Sequence, residues 1–189
     1  GDIFEFRGTL TDSRDGNIYE VVKIDTQIWM AENLAYLPSV NPPSAESKSN
    51  AYSYVAFYDG TIVVDAKATD SYKTYGVLYN WAAAKTACPN GWHLPLDTEW
   101  EQLAEYISTT KGPFSKSDDG WYNIGSHLKA TSGWNGNGNG TDDFGFSGLQ
   151  GGIRWVNGVF YNTGYSYWWS ATESSTSAAW SRNVGYDTT

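Results

Sequence analysis

Between Ile18 and Ile24 the chain reads IYEVVKI, a partial alternation of apolar and polar positions that predicts a half-buried strand. The cluster Asp15, Gly16, Asn17 before it predicts a turn, and the apolar stretch around Trp29 predicts a second strand. From residue 38 to 74 the chain shifts to Pro, Ser, Asn and Lys. Only YSYVAFYDGTIVVD breaks that stretch, and it predicts one hairpin around Asp59 and Gly60. The region is expected to be an insertion lying on the surface. A different period follows: Val77, Leu78, Trp81, Ala82 and Lys85 recur at helical spacing, so a short helix is expected, ended by Pro89 and Gly91. In LDTEWEQLAEYISTT the residues Trp100, Leu103, Ala104 and Ile107 make one apolar face of a second helix. Asp97 is the expected N-cap there, with Glu99 and Glu101 in the first turn. Beyond Lys111 turn signals dominate. SGWNGNGNGTDDFGFSGLQGG predicts a long loop, and the tail from Ile153 predicts short strands with tight turns at Asn157-Gly158 and Thr163-Gly164. No repeat at a solenoid or propeller period is present. The pattern predicts one α+β domain over residues 1–189.

Composition narrows the class of partner. Twelve basic residues stand against twenty-one acidic ones, a net charge of −9, and the basic residues are scattered singly. A polyanion such as nucleic acid, or an anionic membrane surface, is disfavoured as a partner. No apolar run of about eighteen residues occurs, so no membrane span is expected in this chain. Ten Trp, fourteen Tyr and twenty Gly, with abundant Ser, Thr and Asn, suit a loop-rich extracellular module. The single Cys has no internal disulfide partner.

Two stretches invite a chemical reading. In CPNGWHLPLDTEW, residues 88 to 100, Cys88 as nucleophile, His93 as base and Glu99 or Asp97 as orienter would make a triad. A scaffold reading uses every residue of the same stretch: Pro89 and Gly91 break one helix, Trp92 and His93 pack in the turn, Pro95 stiffens the approach and Asp97 caps the next helix. The scaffold reading is preferred. Zinc or non-haem iron lacks ligands at the required spacing, since His93 and His127 stand alone. Calcium takes only oxygens, and NGNGTDDFG offers Asn139, Asp142 and Asp143 as candidate ligands beside Asn137 and Thr141. A solvated turn fits the same residues.

Binding is expected in the tail. Trp155, Tyr161, Tyr165, Tyr167 and Trp180 are candidate aromatic anchors, with Asn157, Asn162, Ser174, Ser175, Thr176 and Ser177 as small hydrogen bonders and Arg182 beside them. Antibody paratopes favour this mixture, because Tyr and Trp give large contact area for few lost rotamers while Ser and Asn adjust. A core role competes with this reading. For Trp168 and Trp169 it is the preferred one, and for Tyr161, Tyr165 and Tyr167 both stay open.

DGNIYEVVKIDTQIWMAENL, YGVLYNWAAAKTACPNGWHLPLDTEW, NGTDDFGFSGLQGG and YWWSATE occur in this order, and together they resemble the Fibrobacter succinogenes major paralogous domain over nearly the whole chain. The resemblance implies a C-type-lectin-like fold, related to that of the formylglycine-generating enzymes through GWHLPLDTEW. It implies a secreted or outer-membrane, surface-exposed bacterial protein, with a lipid anchor upstream as one arrangement. It also implies kinship with the variable proteins of diversity-generating retroelements. The paired late cysteines of the enzyme relatives, and the histidine cluster of their iron-dependent kin, are absent here, so neither activity carries over. The closing strand usual in the family is also missing from these 189 residues; a Cys on it would pair with Cys88, and without it the strand at IFEFRG is expected to keep an open edge. Three functions follow as expectations: a non-enzymatic module binding protein or glycan through the tail, a structural or assembly module of the cell envelope such as a lipoprotein or pilus tip, and, against the cysteine and histidine count, an enzyme of the formylglycine-generating type.

Overall fold

Where the apolar and polar positions alternate, the chain forms its first sheet. The structure, a computed structural model, describes residues 6–118, 120–161 and 164–187. β1 (Arg7–Thr11), β2 (Ile18–Ile24) and β3 (Gln27–Met30) form an antiparallel meander with β2 in the middle. Tyr19, Val21, Val22 and Ile24 of β2 are buried. The turn before β2 closes as expected: the Asp12 carbonyl accepts from the Gly16 N–H at 2.8 Å, and Gly16 has the positive φ that glycine tolerates.

The stretch from 38 to 74 departs furthest from expectation. Ser53–Tyr54 forms β4, but no hairpin turns at Asp59 and Gly60; Val63–Ala68 is helix α1 and Asp70–Tyr75 is helix α2. Thr69 joins them, its hydroxyl donating to the Ala66 carbonyl and accepting from the Tyr72 N–H. The partner of β4 is β5 (Leu78–Tyr79). Nor is the segment only a surface excursion, because Val40, Val55 and Ala66 are buried with Leu37 and Val77 in a core of their own, flanked by Tyr58, Tyr72 and Tyr79. The β-branched run Thr61 to Val64 favours a strand locally. Helix formation wins because it carries Ala66 to full burial and packs Val63 against the same cluster.

The first expected helix begins later than the pattern suggested. Leu78 and Tyr79 are held in β5, so α3 spans Trp81–Ala87. Asn80 explains the boundary. Its Oδ1 accepts from the Ala83 N–H as a helix cap and also from the Tyr52 N–H, both at 3.0 Å. Its Nδ2 donates to the carbonyls of Ser47 and Asn50, both at 2.8 Å. One side chain therefore starts a helix and ties a loop to it. Asn80→Ala is expected to lower stability by about 2 kcal/mol, a lost cap plus backbone groups left unpaired. Urea unfolding followed by tryptophan fluorescence reads this directly, and a change below about 0.5 kcal/mol would contradict it.

Helix α4 spans Asp97–Lys111, and Asp97 is its first helical residue; Leu96 holds the N-cap position. Glu99 supplies the cap instead, its carboxylate accepting from the Leu96 N–H at 2.8 Å. The Asp97 N–H donates to Thr172 Oγ1 at 3.0 Å, and its carboxylate pairs with Arg182 at 3.1 Å. These contacts dock the chain's end onto the helix start, which no local signal announces. Short β6 (Lys116–Ser117), β7 (Gly120–Trp121) and α5 (Gly125–Leu128) follow. The tail forms β8 (Ile153–Arg154), β9 (Phe160–Tyr161), β10 (Tyr165–Ser175) and β11 (Ala178–Gly185). The turn at Asn157-Gly158 is present; Thr163 lies outside the described residues. In place of several short strands, β10 and β11 make one long antiparallel hairpin, with an irregular register between Trp169 and Ser175.

The main core joins the ends of the chain. Val22, Ile24 and Trp29 from the meander meet Trp100, Leu103 and Ile107 of α4, together with Leu128, Phe144 and Phe146, and Trp168 covers the cluster. The Trp29 and Trp100 rings lie 4.7 Å apart, centroid to centroid, and Trp168 lies 6.1 Å from Trp100 and 5.7 Å from Phe146. The domain is α+β, with helices and several small antiparallel sheets.

Candidate functional site

Strand alternation assembles the tail aromatics. In the β8–β9 pair Ile153 lies opposite Tyr161, so both point to one face, and Trp155 two residues after Ile153 continues it. Arg154 and Phe160 take the other face. There the Arg154 guanidinium donates to the carbonyls of Pro43 and Ala45, and Phe160 meets Phe57 at 5.8 Å. On β10 the same period puts Tyr165, Tyr167 and Trp169 on one face and Ser166, Trp168 and Ser170 on the other. A parallel bridge between Gly152 and Ser166 holds the two ribbons side by side.

Two depressions result. The smaller, of about 290 Å3, is lined by Ile153, Trp155, Tyr161, Tyr165 and Tyr167. The larger is a cleft of about 540 Å3 reaching from the β8–β9 turn to α3 and the start of α4. Ile153, Trp155 and Tyr167 line both, and the two rings form a ridge between them. Four predicted anchors thus converge. Trp155 is 52% exposed and Tyr161 46%, so each presents a ring to solvent. Within the cleft some polar groups are already engaged, while the buried indole N–H groups of Trp81 and Trp100, which also line it, make no hydrogen bond. Asn33 accepts from the Trp168 indole N–H and donates to the Tyr75 carbonyl, and the Trp169 N–H donates to the Tyr79 carbonyl. Trp168 and Trp169 are packed, the latter 5.7 Å from Trp81, in line with the core reading.

The other predicted binding residues fall into separate places. Ser174, Ser175, Thr176 and Ser177 are exposed at the tip of the β10–β11 hairpin, and of these Ser177 reaches the cleft lining. Asn157 shapes its own turn, accepting from the Val159 N–H at 3.0 Å. Trp180 is exposed on β11, outside both depressions. Arg182 is committed to Asp97 and serves the fold. Asn162 lies outside the described residues.

The calcium ligands anticipated in the glycine-rich loop are occupied by protein donors. Asn139 accepts from the Trp134 N–H, and the Asp142 carboxylate accepts from both the N–H and the hydroxyl of Ser147. Asp143 pairs with Lys111 and His127 and accepts from Thr141. Burial works against ionisation of Asp143, yet His127, Thr141 and Lys111 hold its carboxyl below the ordinary carboxylate range. Among the described residues no cluster of three or more His, Cys, Asp or Glu is arranged to hold a metal. The loop latches itself.

Within residues 88 to 100 the scaffold reading holds in part: the chain reverses after α3 at Pro89 and Gly91, but His93 stands in solvent on the Glu99 carboxylate instead of packing in the turn, and Asp97 is not the cap. Burial pushes the Cys88 thiol up, against the opposing effect of Arg14, whereas a nucleophile needs a thiol pushed down. His93 is 69% exposed and bonds the Glu99 carboxylate at 2.9 Å. Pro89 is buried, and Gly91 has the positive φ of a chain reversal.

Sequence reasoning missed the far wall of the cleft. Trp81, Trp92, Asn33 and Leu78 line it from the chain's first half. For Trp81 and Trp92 the one signal was the high Trp count of the chain. No helix among the described residues is long and apolar enough to cross a membrane. No curated protein and no solved structure shows significant similarity to the chain. The family model of the Fibrobacter succinogenes major domain matches residues 22–189, which include both depressions, and the chain belongs to that family.

Proposed function

We propose that this domain is a non-catalytic recognition module, displayed outside the cell, that takes a glycan or protein ligand across the Trp155–Tyr167 ridge. One observation carries the reading: exposed Trp155 and half-buried Tyr167 stand between a large cleft and a smaller aromatic pocket, and line both. Rigid rings of this kind give contact area at low entropic cost, and sites for small ligands are concave and lined mostly by apolar groups. The exposed His93, bound to the Glu99 carboxylate, and the half-buried Cys88, its thiol pushed up by burial, are too poorly matched to act as base and nucleophile. The C-type-lectin-like fold remains part of this proposal, and so does descent shared with retroelement variable proteins.

A glycan array and a surface-protein panel, probed with the chain and with the double variant Trp155→Ala, Tyr167→Ala, test it. The intact chain should bind at least one member of a panel, and the variant should bind at least about ten-fold more weakly at unchanged melting temperature. Silence on both panels, or binding indifferent to both substitutions, would reject the reading. The envelope-assembly alternative rests on the first strand: of the expected IFEFRG strand residues 3–5 lie outside the described residues, and β1, which begins at Arg7, has β2 as its one partner among the described strands.

A further inference from the structure

The smaller depression has the chemistry of a cation box. Its lining is one Trp, three Tyr and one Ile, and among the described residues no lysine or arginine takes part. Arg154, the basic residue next in sequence, is turned to the opposite face and held by the Pro43 and Ala45 carbonyls. Aromatic faces carry negative electrostatic potential, and a cation within about 6 Å of several ring centroids is attracted by each. The surroundings add charge of the same sign. The Tyr165 hydroxyl donates to the Asp187 carboxylate at 3.2 Å, and that carboxylate pushes the Tyr165 phenol up. Lys129 also feels Asp187, but its ammonium is buried and donates to the Gly185 carbonyl. The whole chain carries a net charge of −9.

A primary ammonium or guanidinium ion loses strong hydration on entering such a pocket and needs hydrogen-bond acceptors in return. An alkylated ammonium spreads its charge over methyl groups and needs none. The lining supplies four aromatic rings and three phenol hydroxyl groups around a volume of about 290 Å3. We infer that the pocket bounded by Trp155, Tyr161, Tyr165 and Tyr167 binds a quaternary ammonium group, of which choline is the simplest carrier. This inference rests on the reading of the domain as a recognition module and names the chemistry that one part of its face selects. The pocket then serves as the specific end of the binding face, and the larger cleft on the other side of Trp155 receives what the ammonium is attached to.

The test uses the intact 189-residue chain and its tryptophan fluorescence, titrated with tetramethylammonium, choline and 3,3-dimethylbutan-1-ol, the uncharged isostere of choline. Both cations should change the emission saturably, and the uncharged isostere should bind at least about ten-fold more weakly. Tyr161→Ala, at an exposed position that lines only this pocket, should weaken choline about ten-fold and leave thermal unfolding unchanged. Asp187→Asn should weaken it two- to three-fold while every ring stays in place, an order-of-magnitude expectation for one exposed charge. Phosphocholine binding more tightly than choline would mark a headgroup as the source. Nε-trimethyl-lysine binding more tightly would mark a methylated side chain. Equal affinity for choline and its isostere, or choline binding untouched by Tyr161→Ala, would overturn the assignment. Choline silence with array binding retained would overturn it alone and leave the recognition reading in place; silence in both would remove both.

Discussion

Trp100→Ala is expected to cost the domain about 3 to 5 kcal/mol, the usual range for truncating a buried large aromatic. Trp100 stands where the two ends of the chain meet. Its ring contacts Trp29 of the first sheet, Phe146 of the glycine-rich loop and Trp168 of the terminal hairpin. Deleting it leaves a void that three elements from distant parts of the sequence would have to collapse into, and none can move without breaking bonds of its own. Trp168, for instance, is tied to Asn33 at 3.2 Å. Urea unfolding measures the loss, and a chain of this size should melt roughly 10 °C lower. Because Trp100 also lines the large cleft, any ligand bound there should be lost in parallel. A cost under about 1 kcal/mol would show that the ring cluster does not organise the core.

The second large effect is electrostatic. Asp12 is fully buried, and Arg14 grips it with a fork: Nε reaches Oδ1 at 2.9 Å and Nη2 reaches Oδ2 at 2.6 Å. The same guanidinium donates to the Ala87 carbonyl at the end of α3 and lies 3.7 Å over the Tyr36 ring. Arg14→Ala would strand a buried carboxylate, with an expected loss of about 3 to 5 kcal/mol. The pH dependence follows from the same contact. Bonds from Arg14 hold the Asp12 carboxyl below its ordinary range despite burial, so the folded state binds this proton less readily than the unfolded one. The stabilisation is therefore fully present above the unfolded value of about 4 and is lost as pH falls through the folded value. Unfolding free energies measured from pH 6 down to pH 2 should fall in the wild type, and the part due to Asp12 should be absent from Asp12→Asn. Identical acid slopes would refute the assignment.

The hydrophobic pattern was most legible where burial is one-sided. In β2 and α4 one face meets the core and the other meets water, so alternation in one and a stripe at Trp100, Leu103 and Ile107 in the other were imprinted on the chain. The turn chemistry at Gly16, Gly91 and Gly158 was equally local, since each needs a positive φ. By contrast, Val63 and Val64 carry strand propensity and open helix α1, because the neighbours of Val63 and Ala66 in the second core come from residues 37, 40, 55 and 77. Asp97 carried the signal of an N-cap and was taken for an ion pair by Arg182, 85 positions later in the chain.

The candidate site divides along the same line. Trp155, Tyr161, Tyr165 and Tyr167 stood in the sequence beside Trp180 as candidate anchors, and strand alternation puts Tyr165 and Tyr167 on one face; the β8–β9 pairing and the Gly152–Ser166 bridge bring the four together and leave Trp180 out. Which tail residues would be spent on the fold was readable only in part. A core role was the preferred reading for Trp168, but Arg182 looks as available in the sequence as Trp155 does, and only the docking of the hairpin against α4 engages it. The sequence by itself determined the family, the α+β class and the main helix, and it named the tail aromatics as candidates, since these depend on residues close together in the chain. Tertiary structure alone decided that the acidic loop closes on itself, that the segment from 38 to 74 builds a core, and that the far wall of the cleft comes from the first half of the chain. Those outcomes depend on contacts between distant segments, and such contacts leave no period in the sequence.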